Sequence, residues 1–95
     1  MSVIWKFPLI ITDQQTVLMP IGAEILSVKD QCGSLQMWAV VDPDAEREIR
    51  TIEIIGTGNP MPDIPAWCRL RVHIDTVQSG QFIWHVFDLF REVSQ

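Results

Sequence analysis

The sequence predicts an all-β fold, a single small antiparallel β-sandwich or barrel-like domain of about seven strands that covers residues 1–95. Three observations predict it. Apolar and polar side chains alternate with a period of two along most of the chain. Turn signals, mostly glycine and proline, interrupt this alternation about every ten residues, as turns between short strands do. A chain of 95 residues has room for one hydrophobic core but not for two.

The first predicted strand runs from Ser2 to Ile10, because every second side chain in it is large and apolar. Its apolar face carries Val3, Trp5, Phe7 and Leu9. A second strand over residues 15–19 ends at a turn over residues 20–23, which contains both a proline and a glycine.

The clearest hairpin of the first half joins residues 24–31 to residues 35–41 through a tight reversal at residues 31–34. In the first arm we expect Leu26 and Val28 to share the apolar face. The second arm is expected to place its apolar residues on one face: Leu35, Met37, Ala39 and Val41.

Residues 42–48 predict an acidic, solvated loop with a single helical turn, in which Asp42 is the cap and Pro43 the first position. A strand over residues 49–55 comes next. The segment that follows, residues 56–68, holds three prolines and two glycines and is the longest irregular stretch. Long ordered loops in small domains often carry function, so this segment is the first place to look for a site.

The last predicted hairpin joins residues 69–77 to residues 81–90. In its first arm we expect one face to carry Leu70, Val72, Ile74 and Thr76. The other face is expected to carry Arg71, His73, Asp75 and Val77. The second arm is predicted as a strand to about Leu89, although residues 86–93 also fit helical spacing.

The register of this hairpin decides whether the two histidines meet. A three-residue loop at residues 78–80 would place His73 opposite His85. A two-residue turn at residues 79–80 would instead pair His73 with Val86 and separate the imidazoles. The sequence leaves both alternatives open.

Charge excludes one class of partner. The net charge is −5, and the seven basic residues are scattered along the chain. A nucleic-acid-binding protein needs a concentrated basic stripe to neutralise phosphates, so we expect no nucleic-acid partner.

The apolar share of 47% is high for so small a domain. Apolar surface that one core cannot hide favours a homo-oligomer.

The expected cellular compartment follows from three features that the sequence does not have: a membrane-spanning run, a secretory signal and a cysteine pair. It has no run approaching the roughly 20 apolar residues that span a bilayer, and no secretory signal at its start. Cys32 and Cys68 lie far apart and form no C-x-x-C pair. We therefore expect a cytoplasmic protein without membrane association, with both thiols reduced.

The run Gly56-Thr57-Gly58 comes directly after a strand, where phosphate-binding loops occur. A nucleotide-hydrolase loop would need a lysine and a serine or threonine before a helix, and a dinucleotide-binding loop a third glycine. Asn59 and Pro60 follow here instead. Two interpretations stay open: a small nest of amides that binds an anion, or glycines that supply the positive φ needed where a strand ends. The second is favoured.

Trp67 belongs to the same proline-rich segment and is followed by Arg69 and Arg71. An aromatic plate beside two cations and a glycine turn suits a small, planar anionic ligand. Alternatively, Trp67 only pins its loop to the domain. The candidate ligand-binding residues are Gly56, Thr57, Gly58, Asn59, Trp67, Arg69 and Arg71.

We expect no catalytic residue, no metal site and no cofactor. Cys68 lies near two arginines in the sequence, but no oxyanion-hole motif accompanies it. Even if His73 and His85 were neighbours, they would give zinc only two ligands. Structural histidines are the expectation.

Five stretches occur in an order that resembles a family of short, mostly uncharacterised proteins encoded by tailed bacteriophages and prophages: IWKFPL, MPIGAEILSV, MWAVVDP, EIRTIEIIGTGNP and WHVFDL. The resemblance covers Ile4 to Leu89. Relatives often have a histidine after Gly-Thr-Gly, where this sequence has Asn59, and that departure argues against an acid–base or metal role there. The resemblance implies an origin and transfers no catalytic residue.

The resulting expectation is a non-enzymatic, phage-encoded binding protein in the host bacterial cytoplasm. It would act against bacterial antiviral defence as an inhibitor or as a protein that sequesters a ligand. Its partner would be a host defence protein or a small anionic ligand. The alternatives are a small hydrolase that uses Cys68 or the histidines, and an accessory or structural component of the phage.

Overall fold

Seven strands and no helix make up the part of the chain that the computed structural model describes, residues 1–91. The strands are β1 (Val3–Leu9), β2 (Gln14–Pro20), β3 (Glu24–Gln31), β4 (Ser34–Val41), β5 (Arg47–Gly56), β6 (Cys68–Ser79) and β7 (Phe82–Arg91). Since the described residues contain no helix, none of them forms one long and apolar enough to cross a membrane. The prediction of an all-β fold is confirmed.

The strands form two antiparallel sheets that pack face to face. The small sheet has the order β1-β4-β3, and the large sheet has the order β2-β5-β7-β6. The sheets remain separate, so the architecture is a sandwich and not a closed barrel. Of the two architectures that the sequence allowed, the sandwich is the one adopted.

Period-two alternation places the core of the small sheet correctly. The predicted apolar face of β4 is buried throughout: Leu35, Met37, Ala39 and Val41. In β1, Leu9 is buried, while Val3, Trp5 and Phe7 pack against the core from the same face. The side chains between them are left to the outer surface, as the pleat of a strand requires.

In β3 the prediction for Leu26 was wrong. Val28 is buried as expected, but Leu26 is exposed. A β-bulge between Ile25 and Ser27 shifts the pairing with β4, so Ile25 takes the inward position. One extra residue in a strand reverses the face of every side chain before it, and alternation in sequence cannot show this.

The final hairpin adopts neither of the two predicted registers. Ser79 pairs with Phe82, so the turn lies at Gly80 and Gln81. A second bulge between His73 and Asp75 changes the pairing partway along the hairpin. His73 therefore lies opposite Phe87, and His85 lies opposite Thr76.

The predicted faces of β6 are confirmed as far as His73, and the same bulge overturns them from Asp75 onward. Leu70 and Val72 pair with the even-numbered residues of β7, and beyond the bulge Asp75 and Val77 do so as well. These four residues share the inner face of the large sheet. Arg71, His73 and Thr76 pair with odd-numbered residues of β7 and lie on the outer face.

The connection between β5 and β6 crosses the outer face of the large sheet. Both strands are antiparallel to β7, so they are parallel to each other and need a crossover. We call residues 57–67 the crossover loop. Its contact with the sheet is fixed by Arg71, whose Nη2 donates to the Pro62 carbonyl oxygen at 2.6 Å.

The sheets meet at one side through their edge strands. The backbone N–H of Val28 in β3 donates to Oδ2 of Asp75 in β6 at 3.0 Å. A side-chain acceptor thus occupies an edge amide that would otherwise be open to another strand. Farther along these two edges, toward Ile25 and Val72, the sheets part and leave an opening.

Candidate functional site

The Gly-Thr-Gly run forms a turn whose amides bond within the fold. The N–H of Asn59 donates to the Gly56 carbonyl oxygen at 3.1 Å, and the N–H of Thr57 donates to the carbonyl oxygen of Ile83, also at 3.1 Å. Gly58 has a φ of +91°, a conformation that side chains with a Cβ avoid. This geometry agrees with the interpretation of glycine as the residue that lets the strand end.

Gly56 is required for a different reason. A Cβ at this position would lie 3.0 Å from Nδ2 of Asn59 and 3.1 Å from Cζ3 of Trp84. The glycine allows the Trp84 ring to lie directly on the end of β5. Two hollows, of about 530 and 430 Å³, flank this contact, and none of the described residues that line them is a lysine or arginine.

The other predicted ligand-binding residues lie near the far end of the crossover loop. Trp67 is covered by the guanidinium of Arg91, with 4.5 Å between Cζ and the ring centroid. Arg69 is exposed at an irregularity at the start of β6. Arg71 points onto the outer face of the large sheet. No described contact joins these side chains to the Gly56–Asn59 turn.

Arg71 is held by a carboxylate that the sequence analysis did not single out. Its Nε lies 2.8 Å from Oε1 of Glu53, and its Nη2 donates to Oε2 at 3.0 Å. The side chain of Glu53 is 0% exposed and that of Arg71 is 19% exposed. With the Pro62 carbonyl as a further acceptor, the guanidinium is held in place by the fold, although the contact between Nε and Glu53 Oε1 lacks hydrogen-bond geometry and leaves both atoms without a hydrogen-bond partner among the described residues.

A chain of polar side chains runs along the outer face beside this pair. His73 Nε2 lies 2.9 Å from Oγ1 of Thr76, which lies 3.1 Å from Nδ1 of His85. His85 Nε2 in turn lies 2.7 Å from Oγ1 of Thr57. The two histidines are therefore linked through a hydroxyl, although they are not cross-strand partners.

One set of hydrogen-bond directions satisfies this chain with neutral imidazoles. The Thr57 hydroxyl donates to the Ile83 carbonyl oxygen at 3.5 Å, so His85 donates to Thr57 from Nε2. Nδ1 of His85 then accepts from the hydroxyl of Thr76, which accepts from Nε2–H of His73. In the opposite tautomer of His85, with Nε2 unprotonated, the Thr57 hydroxyl would stand to the imidazole as a nucleophile stands to its base.

A cavity lies between the two sheets, where β3 and β6 part. We call it the inter-sheet cleft, and its volume is about 560 Å³. Apolar side chains from both sheets line it: Ile25, Val72, Ile74 and Phe90. The small sheet begins only at Glu24 in this region, so it leaves the inner face of β6 and the end of β7 uncovered.

A buried ion pair lies in the wall of the inter-sheet cleft. Arg50 Nη2 donates to Oδ2 of Asp88, and the two side chains are only 11% and 4% exposed. Arg50 Nη1 donates to the carbonyl oxygen of Ala23 at 3.0 Å. Glu48 adds a second carboxylate 3.9 Å from the guanidinium.

Asp88 has one unpaired atom. Its Oδ1 is buried, and within residues 1–91 it has no hydrogen-bond partner. Buried carboxylate oxygens are normally hydrogen-bonded, so an orphaned one calls for an explanation. Sequence reasoning missed both Asp88 and Glu53, although each is flanked on both sides by apolar residues within a strand. A charge in the middle of such a strand is the signal that could have identified them.

Neither cysteine forms part of a cluster of reactive groups. Cys32 is exposed in the β3–β4 turn, and Cys68 is buried, with its thiol donating to the Leu70 carbonyl oxygen at 3.5 Å. Both are free thiols. Among the residues with assigned positions, no three His, Cys, Asp or Glu side chains come together as a group that could hold a metal ion.

These features define a small open β-sandwich with one covered outer face and one cleft between the sheets. The whole chain, residues 1–95, matches a family described as a domain of unknown function, DUF7352, and belongs to it. No curated protein and no solved structure matches the chain.

Proposed function

We propose that this chain is a non-enzymatic binding protein and that the inter-sheet cleft is its binding site. The observation that carries the proposal is the cleft itself, an apolar cavity of about 560 Å³ with a buried ion pair in its wall. Ligand sites are typically concave, mostly apolar and supplied with a few placed polar groups. The cleft has this composition, whereas the described residues that line the hollows beside the Gly56–Asn59 turn include no buried ion pair.

The resemblance to phage and prophage proteins supports a more specific role. On this proposal the protein is phage-encoded, acts in the cytoplasm of the host bacterium, and blocks or sequesters a component of antiviral defence. A small anionic ligand at Gly56–Asn59 and Trp67–Arg71 stays a separate prediction, since Arg71 and Trp67 already have partners in the fold.

Exposed apolar side chains support an oligomer. Leu18 of β2 and Ile49 of β5 lie opposite each other on the outer face of the large sheet and are 62% and 53% exposed. β2 is also an edge strand with unpaired backbone groups on one side. Apolar side chains beside an open edge favour association with a second copy.

Native mass spectrometry of the protein purified from phage-infected cells tests this proposal. We expect an oligomer that retains a small molecule or a host protein, and we expect Val72→Trp, which fills the cleft, to lose a retained small molecule. Leu70→Trp, at the neighbouring inner-face position outside the cleft lining, is the matched control. A bare monomer from infected cells would contradict the proposal, and recovery of the protein in purified virions would favour a structural role.

A second candidate function is a small hydrolase, and one observation favours it. His85 Nε2 lies 2.7 Å from the Thr57 hydroxyl in an exposed part of the surface, within the distance at which a base activates a nucleophile once the imidazole proton has moved to Nδ1. Thr57→Val and His85→Gln would abolish such an activity. Retention of the full biological effect in a variant with Cys68, His73 and His85 all changed to alanine would dismiss the enzyme.

A further inference from the structure

We infer that the ligand of the inter-sheet cleft is a small organic cation, an ammonium or guanidinium group attached to an apolar body. This inference rests on the proposed binding role of the cleft and adds the chemical class of its ligand. It follows from the charges that line the cleft, the unpaired atom in its wall and the nature of its other walls.

The charges around the cleft favour a cation. Three carboxylates line it, Glu24, Glu48 and Asp88, against two guanidiniums, Arg50 and Arg91. The guanidinium of Arg91 is stacked on Trp67. Arg50 alone therefore faces the carboxylates of Glu48 and Asp88. The lining has an excess of one negative charge, and a bound cation would balance it.

The hydrogen-bonding groups of the cleft also favour a cationic ligand. Both terminal nitrogens of Arg50 already donate, one to Ala23 and one to Asp88. Asp88 Oδ1 is a carboxylate oxygen without a described partner, in a side chain that is 4% exposed. An ionised carboxylate only accepts hydrogen bonds, so the group that completes this site is a donor. A charged donor would form the stronger bond.

The remaining walls require an apolar body. Val72 and Phe90 present their side chains to the opening from the large sheet, and Ile25 faces them from the small sheet. Phe90 also lies with its ring 5.4 Å from the Arg50 guanidinium, within the distance at which an aromatic ring attracts a cation. The volume of about 560 Å³ is suitable for one small ligand.

A titration with three matched probes tests the inference: 2-phenylethylammonium, the neutral 2-phenylethanol and the anionic 3-phenylpropionate. Binding is followed by shifts of backbone amide signals in the NMR spectrum of the full chain. We expect the cation to shift the amides of Ile25, Val72 and Phe90, with an affinity about tenfold above that of the alcohol, as a charge-assisted hydrogen bond provides. The anion should bind more weakly than either.

The outcomes distinguish a wrong ligand class from a wrong location of the binding site. If the alcohol or the anion binds in the cleft as tightly as the cation, the inferred ligand class is wrong and the cleft remains a binding site. If none of the three shifts the cleft residues, both the inference and the assignment of the cleft are overturned. Methylammonium, which lacks the apolar body, should bind at least about tenfold more weakly, since burial of a phenyl group is worth more than that factor.

Substitutions of single carboxylates test which negative charge of the cleft binds the cation. Asp88→Asn keeps the shape of the side chain, and we expect it to weaken binding of 2-phenylethylammonium about tenfold. Because Asp88 also pairs with Arg50, Glu48→Gln provides a second test at a more exposed carboxylate and should weaken binding about threefold. Glu46→Gln makes the same charge change outside the cleft lining and should leave affinity unchanged. Equal effects of the Glu48 and Glu46 substitutions would contradict the inference.

Discussion

The large sheet carries an arginine–carboxylate pair on each of its faces, and the two pairs differ in how completely they are satisfied. On the outer face, Glu53 has Arg71 against both carboxylate oxygens, and the crossover loop supplies a further acceptor at Pro62. On the inner face, Asp88 bonds Arg50 through one oxygen only. That pair lines the inter-sheet cleft.

The difference separates a structural ion pair from one that is available to a ligand. Bringing charges out of water is costly, and a buried pair offsets that cost only when its remaining hydrogen-bonding groups are satisfied. In the outer pair, the Glu53 Oε1–Arg71 Nε contact lacks hydrogen-bond geometry, but the two atoms lie only 2.8 Å apart. In the inner pair, Asp88 Oδ1 has no hydrogen-bond partner within residues 1–91. On our proposal a donor of the ligand completes it, so that one pair stabilises the fold and the other supports recognition.

The largest expected effect comes from breaking the outer pair. Glu53→Gln keeps the size of the side chain but leaves the largely buried guanidinium of Arg71 without its carboxylate. We expect the free energy of unfolding to fall by about 4 kcal/mol, as for other buried pairs that lose one partner. Urea unfolding followed by tryptophan fluorescence measures it. Glu46→Gln, on the solvated loop before β5, should change stability by less than about 0.5 kcal/mol.

A smaller loss is expected at the inner pair. Asp88→Asn should lower the free energy of unfolding by about 2 kcal/mol, because Arg50 keeps the Ala23 carbonyl and has Glu48 nearby. The same urea experiment compares it with Glu53→Gln. If the two substitutions cost the same, or if the order is reversed, the distinction between a complete and an incomplete pair does not hold.

How far the sequence predicts this molecule depends on where a strand is regular. The alternation of Leu35, Met37, Ala39 and Val41 identifies the core because β4 itself carries no extra residue and has a partner strand on both sides. Alternation fails at Leu26 in β3 and in the second half of β6, where a bulge adds one residue and exchanges the faces. A bulge depends on the pairing of two strands, and the pattern within one strand does not contain it.

The candidate site was harder to predict than the fold. The sequence drew attention to Gly56–Asn59 and Trp67–Arg71 because glycine turns, tryptophans and arginines are visible locally. The ion pairs join residues that are far apart in the chain, Glu53 with Arg71 and Arg50 with Asp88. The sequence favoured the interpretation that the glycines of the Gly-Thr-Gly turn supply a positive φ, and the positive φ of Gly58 agrees with it.

A third prediction concerns the turn at the start of the crossover loop, which the substitution Gly58→Ala should destabilise. Gly58 has a φ of +91° and Gly33, in the β3–β4 turn, has a φ of +88°. An alanine at either position should cost about 1 kcal/mol in the free energy of unfolding, because an L-residue is strained there. Only Gly58→Ala should also speed cleavage of the crossover loop in limited proteolysis. Equal cleavage in the two variants would mean that the turn does not hold the loop.

The smallest effect is expected in the histidine chain. Thr57→Val removes the hydroxyl that His85 Nε2 contacts at 2.7 Å, and at this exposed position we expect a loss of about 0.5 kcal/mol. The nitrogen shifts of neutral His85 in the original chain should report a proton on Nε2. In Thr57→Val those shifts should change, whereas Thr16→Val, at an exposed position of β2, should leave them as they are. A proton on Nδ1 of His85 would contradict the assigned hydrogen-bond directions.

One titration compares the two ion pairs directly. The carboxyl carbon signals of Asp88 and Glu53 are followed by NMR while 2-phenylethylammonium is added to the full chain. We predict that addition of the ligand shifts the Asp88 signal in a saturable way and leaves the Glu53 signal unchanged. A Glu53 signal that moves with the ligand, or an Asp88 signal that does not, would contradict it.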